Sequence, residues 1–189
     1  GLEAARVAAL RGHDVTLYEK DKELGGQALQ AEKLPGREEM GGLVRWQKIQ
    51  LPKAGVKIVM GTAVTSQMIL NMKRKPDVVI VATGAEWARN AFSGQSTAEV
   101  VGWQQDNVFT PSDVILGKAK IGKKAVIWDA RQDITAISIA EILADKGAKV
   151  QIIAPTPFIG SLDQIKDTTW FHSTPRILKK GVVLTPQTF

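Results

Sequence analysis

The chain contains 189 residues, of which 44% are hydrophobic and 23% charged, a balance typical of a soluble globular protein with one large domain or two small ones. The absence of cysteine excludes disulfides, thiolate metal sites and a redox-active dithiol within these residues, and two histidines cannot build a zinc site or a catalytic triad. The net charge is +6, but the basic clusters lack interleaved aromatic residues, so we expect no nucleic-acid partner. No apolar run is long enough to span a bilayer, so we expect no membrane partner and a cytoplasmic setting.

Alternating helix and strand patterns occupy the first half of the chain. Gly1 to Gly12 is rich in Ala and Leu and predicts a helix, and Gly12 suits the left-handed residue that ends it. The run Val78–Ala82 is continuously apolar, which predicts a strand buried on both faces. The other predictions in this half are a strand over 15–19, a turn at 25–26, a break at 34–36, a helix over 38–53, a strand over 56–60 and extended chain over 62–65.

The second half resumes the pattern after a mixed connection over residues 85–122. Pro111 and Ser112 predict the start of a short helix that ends near Leu116. The elements predicted after it are a strand over 125–128, a helix over 134–146, a strand over 150–153, the end of a helix over 174–180 and a strand over 182–184.

The two halves contain an internal repeat without gaps. In a gap-free alignment of the two copies, Gly12 aligns with Gly147 and Val15–Tyr18 aligns with Val150–Ile153. Each copy therefore has the predicted order helix, glycine, strand. We therefore predict an α/β fold with two Rossmann-like three-layer units, over residues 1–108 and 109–189. Both units are expected to be incomplete, since no strand precedes the first helix and the chain stops soon after the strand over 182–184.

The first copy carries part of the chemistry of a dinucleotide fold. Such a fold needs glycines at the start of its first helix and an acid at the end of the next strand, where a carboxylate accepts hydrogen bonds from the ribose hydroxyls. Gly1 can serve as the last of these glycines, and Glu19 lies 18 residues later. A carboxylate at this place repels a 2′-phosphate, which favours FAD, ADP or NAD over NADP. Gly84 lets the backbone approach a ligand closely.

A family resemblance rests on motifs that span nearly the whole chain. They are Gly1 to Gly12, Glu19-Lys20, Leu24 to Gln27, Leu34-Pro35-Gly36, Val78 to Gly84, and Thr110-Pro111-Ser112 leading to Ile121-Gly122-Lys123-Lys124. With these motifs the chain resembles the C-terminal region of the trimethylamine dehydrogenase and 2,4-dienoyl-CoA reductase family. The resemblance implies that an N-terminal barrel outside this chain carries FMN and a 4Fe-4S cluster and performs the substrate chemistry. It also implies that the present region binds FAD or ADP and, in some members, NAD(P)H.

The same resemblance implies which residues contact the cofactor, and it implies no catalytic or metal-binding residue. The expected contacts are Gly1, Glu19, Lys20, Gly25, Gly26, Gln27, Ala63, Val64, Thr83 and Gly84.

The second copy lacks the corresponding chemistry. Where a nicotinamide-binding unit would carry its three glycines, the sequence has Arg131, Asp133 and Ala136, and Ala154 replaces the ribose acid. Asp133 stands in place of the second glycine. Its side chain blocks the approach of a pyrophosphate, and its negative charge repels the phosphate groups. We therefore predict that this copy does not bind NAD(P)H. Asp129 and Asp133 are interpreted as residues of a solvated loop, or alternatively as polar contacts at a domain interface.

These observations predict the nucleotide-binding portion of a multidomain flavin-dependent oxidoreductase, amine-dehydrogenase-like or enoyl-reductase-like, with this chain inactive by itself. Expected partners are the N-terminal barrel, an electron-transfer flavoprotein and further copies of the parent protein. Two alternatives stay open: a non-catalytic assembly module that binds ADP or nothing, and an NAD(P)H-dependent flavin reductase.

Overall fold

The computed structural model describes residues 1–92, 99–160 and 169–188, and it is an α/β structure with parallel sheets. These residues form two compact units. The first contains Gly1–Lys33 and Arg37–Ala85, and the second contains Leu34–Gly36 together with the described residues from Glu86 onward. The sequence analysis assigned residues 86–108 to the first unit, whereas the described residues of that range group with the second.

The first unit is built from short helices and a small parallel sheet. Its elements are α1 (Leu2–Leu10), β1 (Thr16–Tyr18), α2 (Gln27–Ala31), α3 (Met40–Lys53), β2 (Lys57–Val59) and α4 (Ser66–Leu70). Strands β1 and β2 pair in parallel, with Leu17 opposite Ile58. Gly12 ends the first helix with a φ of 88°, a value that a residue without Cβ adopts without strain. The predicted order of helix, glycine and strand is confirmed.

The core of this unit is small. It consists of the buried residues Ala5, Leu24, Leu51 and Val56, with partly buried neighbours that include Leu17. Because the alanine side chains of α1 are short, this helix can lie close to the sheet and to α3.

The prediction of a buried strand at Val78–Ala82 is wrong for this structure. Val78, Ile80 and Val81 are 76%, 62% and 78% exposed, and residues 78–82 have no strand assignment. The β-branched pattern is that of a strand covered on both faces, but among the described residues no other strand pairs with it. A strand depends on hydrogen bonds to a neighbouring strand as well as on its own propensity, and the described part of the chain offers this run no such neighbour.

Two short helices of the first unit were not predicted from the sequence. Helix α2 follows the turn at Gly25-Gly26, and α4 follows the extended residues 62–65. The hydroxyl of Thr65 accepts a hydrogen bond from the backbone N–H of Met68 at 3.2 Å, which caps α4.

The second unit contains a three-stranded parallel sheet in the order β3-β4-β5. Its elements are α5 (Pro111–Ile115), β3 (Lys124–Trp128), α6 (Ile134–Asp145), β4 (Lys149–Ile153), α7 (Thr169–Lys179) and β5 (Val183–Thr185). Each of them matches a prediction within a few residues, apart from the start of α7. The predicted start of α5 is explained by a capping box between Thr110 and Asp113, with Pro111 in the first turn.

Helix α6 forms the centre of the second core. Ile137 and Ala140 on this helix are fully buried, as are Ile152 of β4 and Ile177 of α7. Burying an isoleucine side chain contributes roughly 1.5–3 kcal/mol relative to its exposed state. Gly147 follows α6 with a φ of 85° and leads into β4, so the repeated helix, glycine and strand are present in the second copy as well.

One polar cluster fixes α7 against α6. The carboxylate of Glu141, which is 4% exposed, accepts hydrogen bonds from Arg176 Nη2 at 2.9 Å and from Lys180 Nζ at 3.1 Å. Lys180 also contacts Asp145 at 2.5 Å. Burial raises the pKa of Glu141, but the hydrogen bonds from Arg176 and Lys180 outweigh it, and the net pKa is lowered. The buried carboxylate is therefore ionised and paired.

Glu141→Gln should lower the free energy of unfolding by about 1–3 kcal/mol, because Arg176 and Lys180 lose the charge between them. The folded-state pKa of Glu141 lies below the ordinary value of 4.5, so its contribution is complete above pH 4.5 and is lost as the pH falls further. Urea unfolding followed by circular dichroism at neutral and at acid pH measures both effects.

Asp106→Asn is a matched control, because it removes one exposed carboxylate from the same unit. An equal loss of stability in both variants, or a difference between Glu141→Gln and wild type that grows at acid pH, would contradict this account.

Candidate functional site

Glu19 lies at the carboxyl end of the small sheet, where the sequence analysis placed a ribose acid. Its backbone N–H donates to the carbonyl of Val59 at 3.0 Å, and its own carbonyl accepts from the N–H of Thr62 at 2.8 Å. The Glu19 carboxylate accepts from the N–H of Asp21 at 3.1 Å, which orients the side chain in the turn. Thr62 is followed directly by Ala63 and Val64, so these two expected cofactor contacts lie close to the acid in the structure. Lys20, in the same turn, is exposed.

The start of α1 lies beside the segment that follows residues 78–81. A Cβ placed on Gly1 would lie 3.6 Å from the Cβ of Ala82, which is ordinary van der Waals contact. No side chain caps α1 at Gly1. Gly1 therefore supplies no side-chain acceptor to the first backbone N–H groups of α1, and N–H groups at a helix start favour an anion.

The turn at Gly25 and Gly26 brings Gln27 to the same place. The two glycines have φ values of 127° and 48°, and a Cβ on Gly25 would come within 2.7 Å of Val44 Cγ1, so a larger residue does not fit. The side-chain amide of Gln27 then donates a hydrogen bond to the carbonyl of Ala85. This bond ties the double-glycine turn to the chain just after Thr83 and Gly84.

The predicted contacts thus form two groups in the first unit. Gly1, Gln27 and the residues around Gly84 make one group, and Glu19 with Ala63 and Val64 makes the other. Both lie at the carboxyl end of β1, because α1 returns through the turn at Gly12 to begin that strand, and this is the end at which α/β folds bind ligands. An added Cβ on Gly84, whose φ is 76°, meets no atom within 4 Å, so the space beside its backbone is open.

Sequence reasoning missed one polar cluster next to this site. Glu3 in the first turn of α1 accepts hydrogen bonds from Arg6 Nε at 2.8 Å and Nη2 at 2.6 Å, and another from the amide of Gln47. These hydrogen bonds lower the pKa of Glu3 to about 2, and the bonds from Arg6 make the largest contribution. Arg6 also lies over the ring of Trp46 at 5.1 Å. The three-residue spacing of Glu3 and Arg6 was a visible signal, whereas the partners on α3 were not.

In the second unit, acidic side chains lie in the loop after β3 and at the start of α6. Asp129 is only 2% exposed and accepts from the N–H groups of Gln132 at 2.7 Å and Gly160 at 2.8 Å. Burial raises its pKa, and these backbone donors act in the opposite direction. The interpretation of Asp129 as a solvated residue is therefore wrong.

Asp133 occupies the start of α6 itself. Its carboxylate accepts from the N–H of Thr135 at 2.9 Å and pairs with Arg131 Nε at 2.7 Å. The guanidinium of Arg131 lies over the ring of Trp87 at 5.2 Å. Within the loop, Gln132 adopts a φ of 59°. The helix start that would face a pyrophosphate is thus already capped by a carboxylate of the same chain.

Two other kinds of site are absent from residues 1–92, 99–160 and 169–188. No group of three or more His, Asp or Glu side chains there could hold a metal ion. In the same ranges, no helix has the length and apolar character needed to cross a membrane.

Comparisons with known proteins identify relatives over most of the chain, although no protein-family model matches it. The chain is 35% identical over 159 residues to an N,N-dimethylglycine/sarcosine dehydrogenase of Chromohalobacter salexigens, covering 81% of this chain and 22% of that protein. It is also 35% identical over 155 residues to an NADH oxidase of Thermoanaerobacter brockii, covering 81% of this chain and 22% of that protein. The chain therefore spans about a fifth of the length of these curated relatives.

Solved structures give the same result for the fold. The structure of histamine dehydrogenase from Rhizobium sp. 4-9 superimposes with a TM-score of 0.86 at 26% sequence identity, covering 98% of this chain and 28% of that chain. Together with the sequence relatives, this shows that the chain belongs to the trimethylamine dehydrogenase and 2,4-dienoyl-CoA reductase family of flavin-dependent oxidoreductases.

Proposed function

We propose that this chain is the part of a multidomain flavin-dependent oxidoreductase that binds FAD or ADP. The observation that carries the proposal is the convergence of three motifs in the first unit. Gly1 at an uncapped helix start lies against Ala82, and Gln27 after the double-glycine turn is hydrogen-bonded to Ala85. Helix starts and close backbone approach are the means by which dinucleotide folds bind a pyrophosphate.

The residues present fit such a ligand. The N–H groups at the start of α1 would bind the pyrophosphate, and the open backbone at Thr83 and Gly84 would lie along the cofactor. Glu19 would accept hydrogen bonds from the ribose hydroxyls, while Ala63 and Val64 would contact the adenine. Gly25, Gly26 and Gln27 shape the turn beside it, and Lys20 adds a positive charge. FAD supplies hydride or electron chemistry when bound, whereas the protein supplies position and electrostatics.

The finer description of the fold belongs to the same proposal. We infer two Rossmann-like units, both incomplete in this chain. The exposed run from Val78 to Val81 supports this for the first unit, because a β-branched segment of this kind suits a sheet position between neighbouring strands. In the full-length enzyme, a strand from outside these residues would pair with it.

The rest of the enzyme is proposed from the relatives, since this chain matches only 22% of their length. We propose that a barrel carrying FMN and a 4Fe-4S cluster performs the substrate chemistry, and that the present region packs against it. An electron-transfer flavoprotein as electron acceptor, a homo-oligomeric assembly and a cytoplasmic location complete the proposal.

Identification of the nucleotide released by heat from the full-length enzyme tests the proposal directly. Chromatography with mass detection should find FAD or ADP in a stoichiometric amount, in addition to any FMN. Release of FMN alone would contradict the proposal and favour the alternative of a non-catalytic assembly module.

Glu19→Gln should weaken ADP binding by the nucleotide-free enzyme by about tenfold, because the ribose hydroxyls lose a charged acceptor. The amide oxygen can still accept from the N–H of Asp21, so the turn is kept. The Glu19 carboxylate repels a 2′-phosphate, so its removal should also reduce the ratio of the affinity for ADP to the affinity for adenosine 2′,5′-bisphosphate. Isothermal titration calorimetry with both nucleotides measures these changes.

Glu23→Gln is the control for this prediction, because it removes an exposed carboxylate four residues further along the chain. Equal affinities of Glu19→Gln and wild type for both nucleotides would rule out Glu19 as the ribose contact.

The second unit is proposed not to bind NAD(P)H, because Asp129 and Asp133 fill and cap the place of the pyrophosphate. Anaerobic titration of the full-length enzyme with NADH or NADPH should leave the visible flavin absorbance unchanged, while dithionite bleaches it. Bleaching by either nicotinamide cofactor would instead support an NAD(P)H-dependent flavin reductase, an activity in line with the name of the Thermoanaerobacter relative.

A further inference from the structure

A group of lysines collects at the amino end of the three-stranded sheet in the second unit. Lys124 is the first residue of β3 and Lys149 the first residue of β4, and the two are direct partners in the parallel register. The carbonyl of Lys123 accepts from the N–H of Lys149 at 2.9 Å. Lys120 precedes this pair in the loop before β3, and Lys146 follows the end of α6. We call these residues the amino-edge lysines: Lys120, Lys123, Lys124, Lys146 and Lys149.

All of the amino-edge lysines are exposed, and none has an acidic partner among the residues that the structure describes. Two acidic residues of the same unit are engaged elsewhere. Asp145 pairs with Lys180, and Asp113 accepts hydrogen bonds from the backbone N–H and hydroxyl of Thr110. The positive charge at this edge is therefore not neutralised locally.

The pairing of Lys124 with Lys149 on neighbouring strands should lower the stability of the fold. Adjacent strands lie about 4.8 Å apart, and like charges directly opposite each other on neighbouring strands are destabilising. The negative end of a helix dipole accounts for Lys146 at the end of α6, but not for the lysines on the strands. A binding partner with negative charge would account for all of them.

We propose that the amino-edge lysines form a docking surface for the acidic surface of a second protein. The side chains are all lysine, whose ammonium group acts as a compact point charge. Lysine lacks the planar guanidinium with which arginine makes two parallel hydrogen bonds to a phosphate. Such charges suit long-range steering and a transient complex that weakens with salt. Residues 118–124 contain no aromatic side chain that could stack on bases, which disfavours single-stranded nucleic acid.

The test uses the full-length protein and fluorescently labelled poly-L-glutamate as a probe for an acidic protein surface. Lys123→Gln/Lys124→Gln/Lys149→Gln should weaken binding about tenfold at low salt, and the affinity of the wild type should fall steeply as the salt concentration rises. Fluorescence anisotropy measures both. Lys120→Gln/Lys146→Gln is a second variant outside the strands; it should weaken binding by several-fold without any change within the sheet.

Lys48→Gln/Lys53→Gln/Lys57→Gln removes the same charge from exposed positions of the first unit and should change the affinity less than about twofold. An equal loss in this control would show that only net charge matters and would overturn the proposal. So would the absence of binding to poly-L-glutamate at low salt. Tighter binding of a DNA duplex, or of phosphatidylserine-containing vesicles, that the triple variant at the sheet edge abolishes would overturn it in favour of that other class of partner.

Discussion

The backbone N–H groups at a helix start determine how the two repeated units differ. Every helix begins with N–H groups that have no partner within the helix, and these must be satisfied by a side chain, by water or by a ligand. Helix α1 begins at Gly1 without a side-chain cap, whereas α6 begins at Asp133, whose carboxylate accepts from Thr135. The residue that begins the helix therefore supplies no side-chain cap in the first copy, whereas it supplies a carboxylate cap in the second.

The filling of the second copy extends beyond this cap. Asp129, directly after β3, is buried, and its two carboxylate oxygens accept hydrogen bonds from the N–H groups of Gln132 and Gly160. These contacts connect the loop after β3 to the loop after β4. These carboxylates are acceptors of internal hydrogen bonds, and a carboxylate in this position would repel a phosphate.

The second unit also has a polarised charge distribution. Carboxylates lie at the carboxyl end of its sheet, and lysines lie at the amino end, on the first residues of β3 and β4. Because the strands are parallel, each end of the sheet gathers the same end of every strand. Lysines at the starts of neighbouring strands therefore lie side by side and form a positively charged surface.

The sequence predicted the elements whose signals are local. The helix-glycine-strand repeat, the helix start at Pro111 and the helix over 134–146 all followed from spacing and residue type. Helices α2 and α4 were missed because each is a single short turn set by neighbouring contacts. The solvated interpretation of Asp129 was wrong because its partner Gly160 is distant in sequence. Of the candidate site, the turn glycines and Glu19 were visible in the sequence, while the bond between Gln27 and Ala85 depends on chain folding.

The exposed run Val78–Val81 has a consequence for handling the protein. Short β-branched segments without charge are typical nuclei of intermolecular β-pairing when they lie uncovered. Lys75, Pro76 and Asp77 directly precede this run, and charged residues and proline in such flanking positions act as gatekeepers against aggregation. They protect one end of the segment only, since Thr83 and Gly84 follow it. Expressed by itself, this region should therefore self-associate through these residues in a concentration-dependent way, and a charged residue at Val79 or Val81 should keep it in solution.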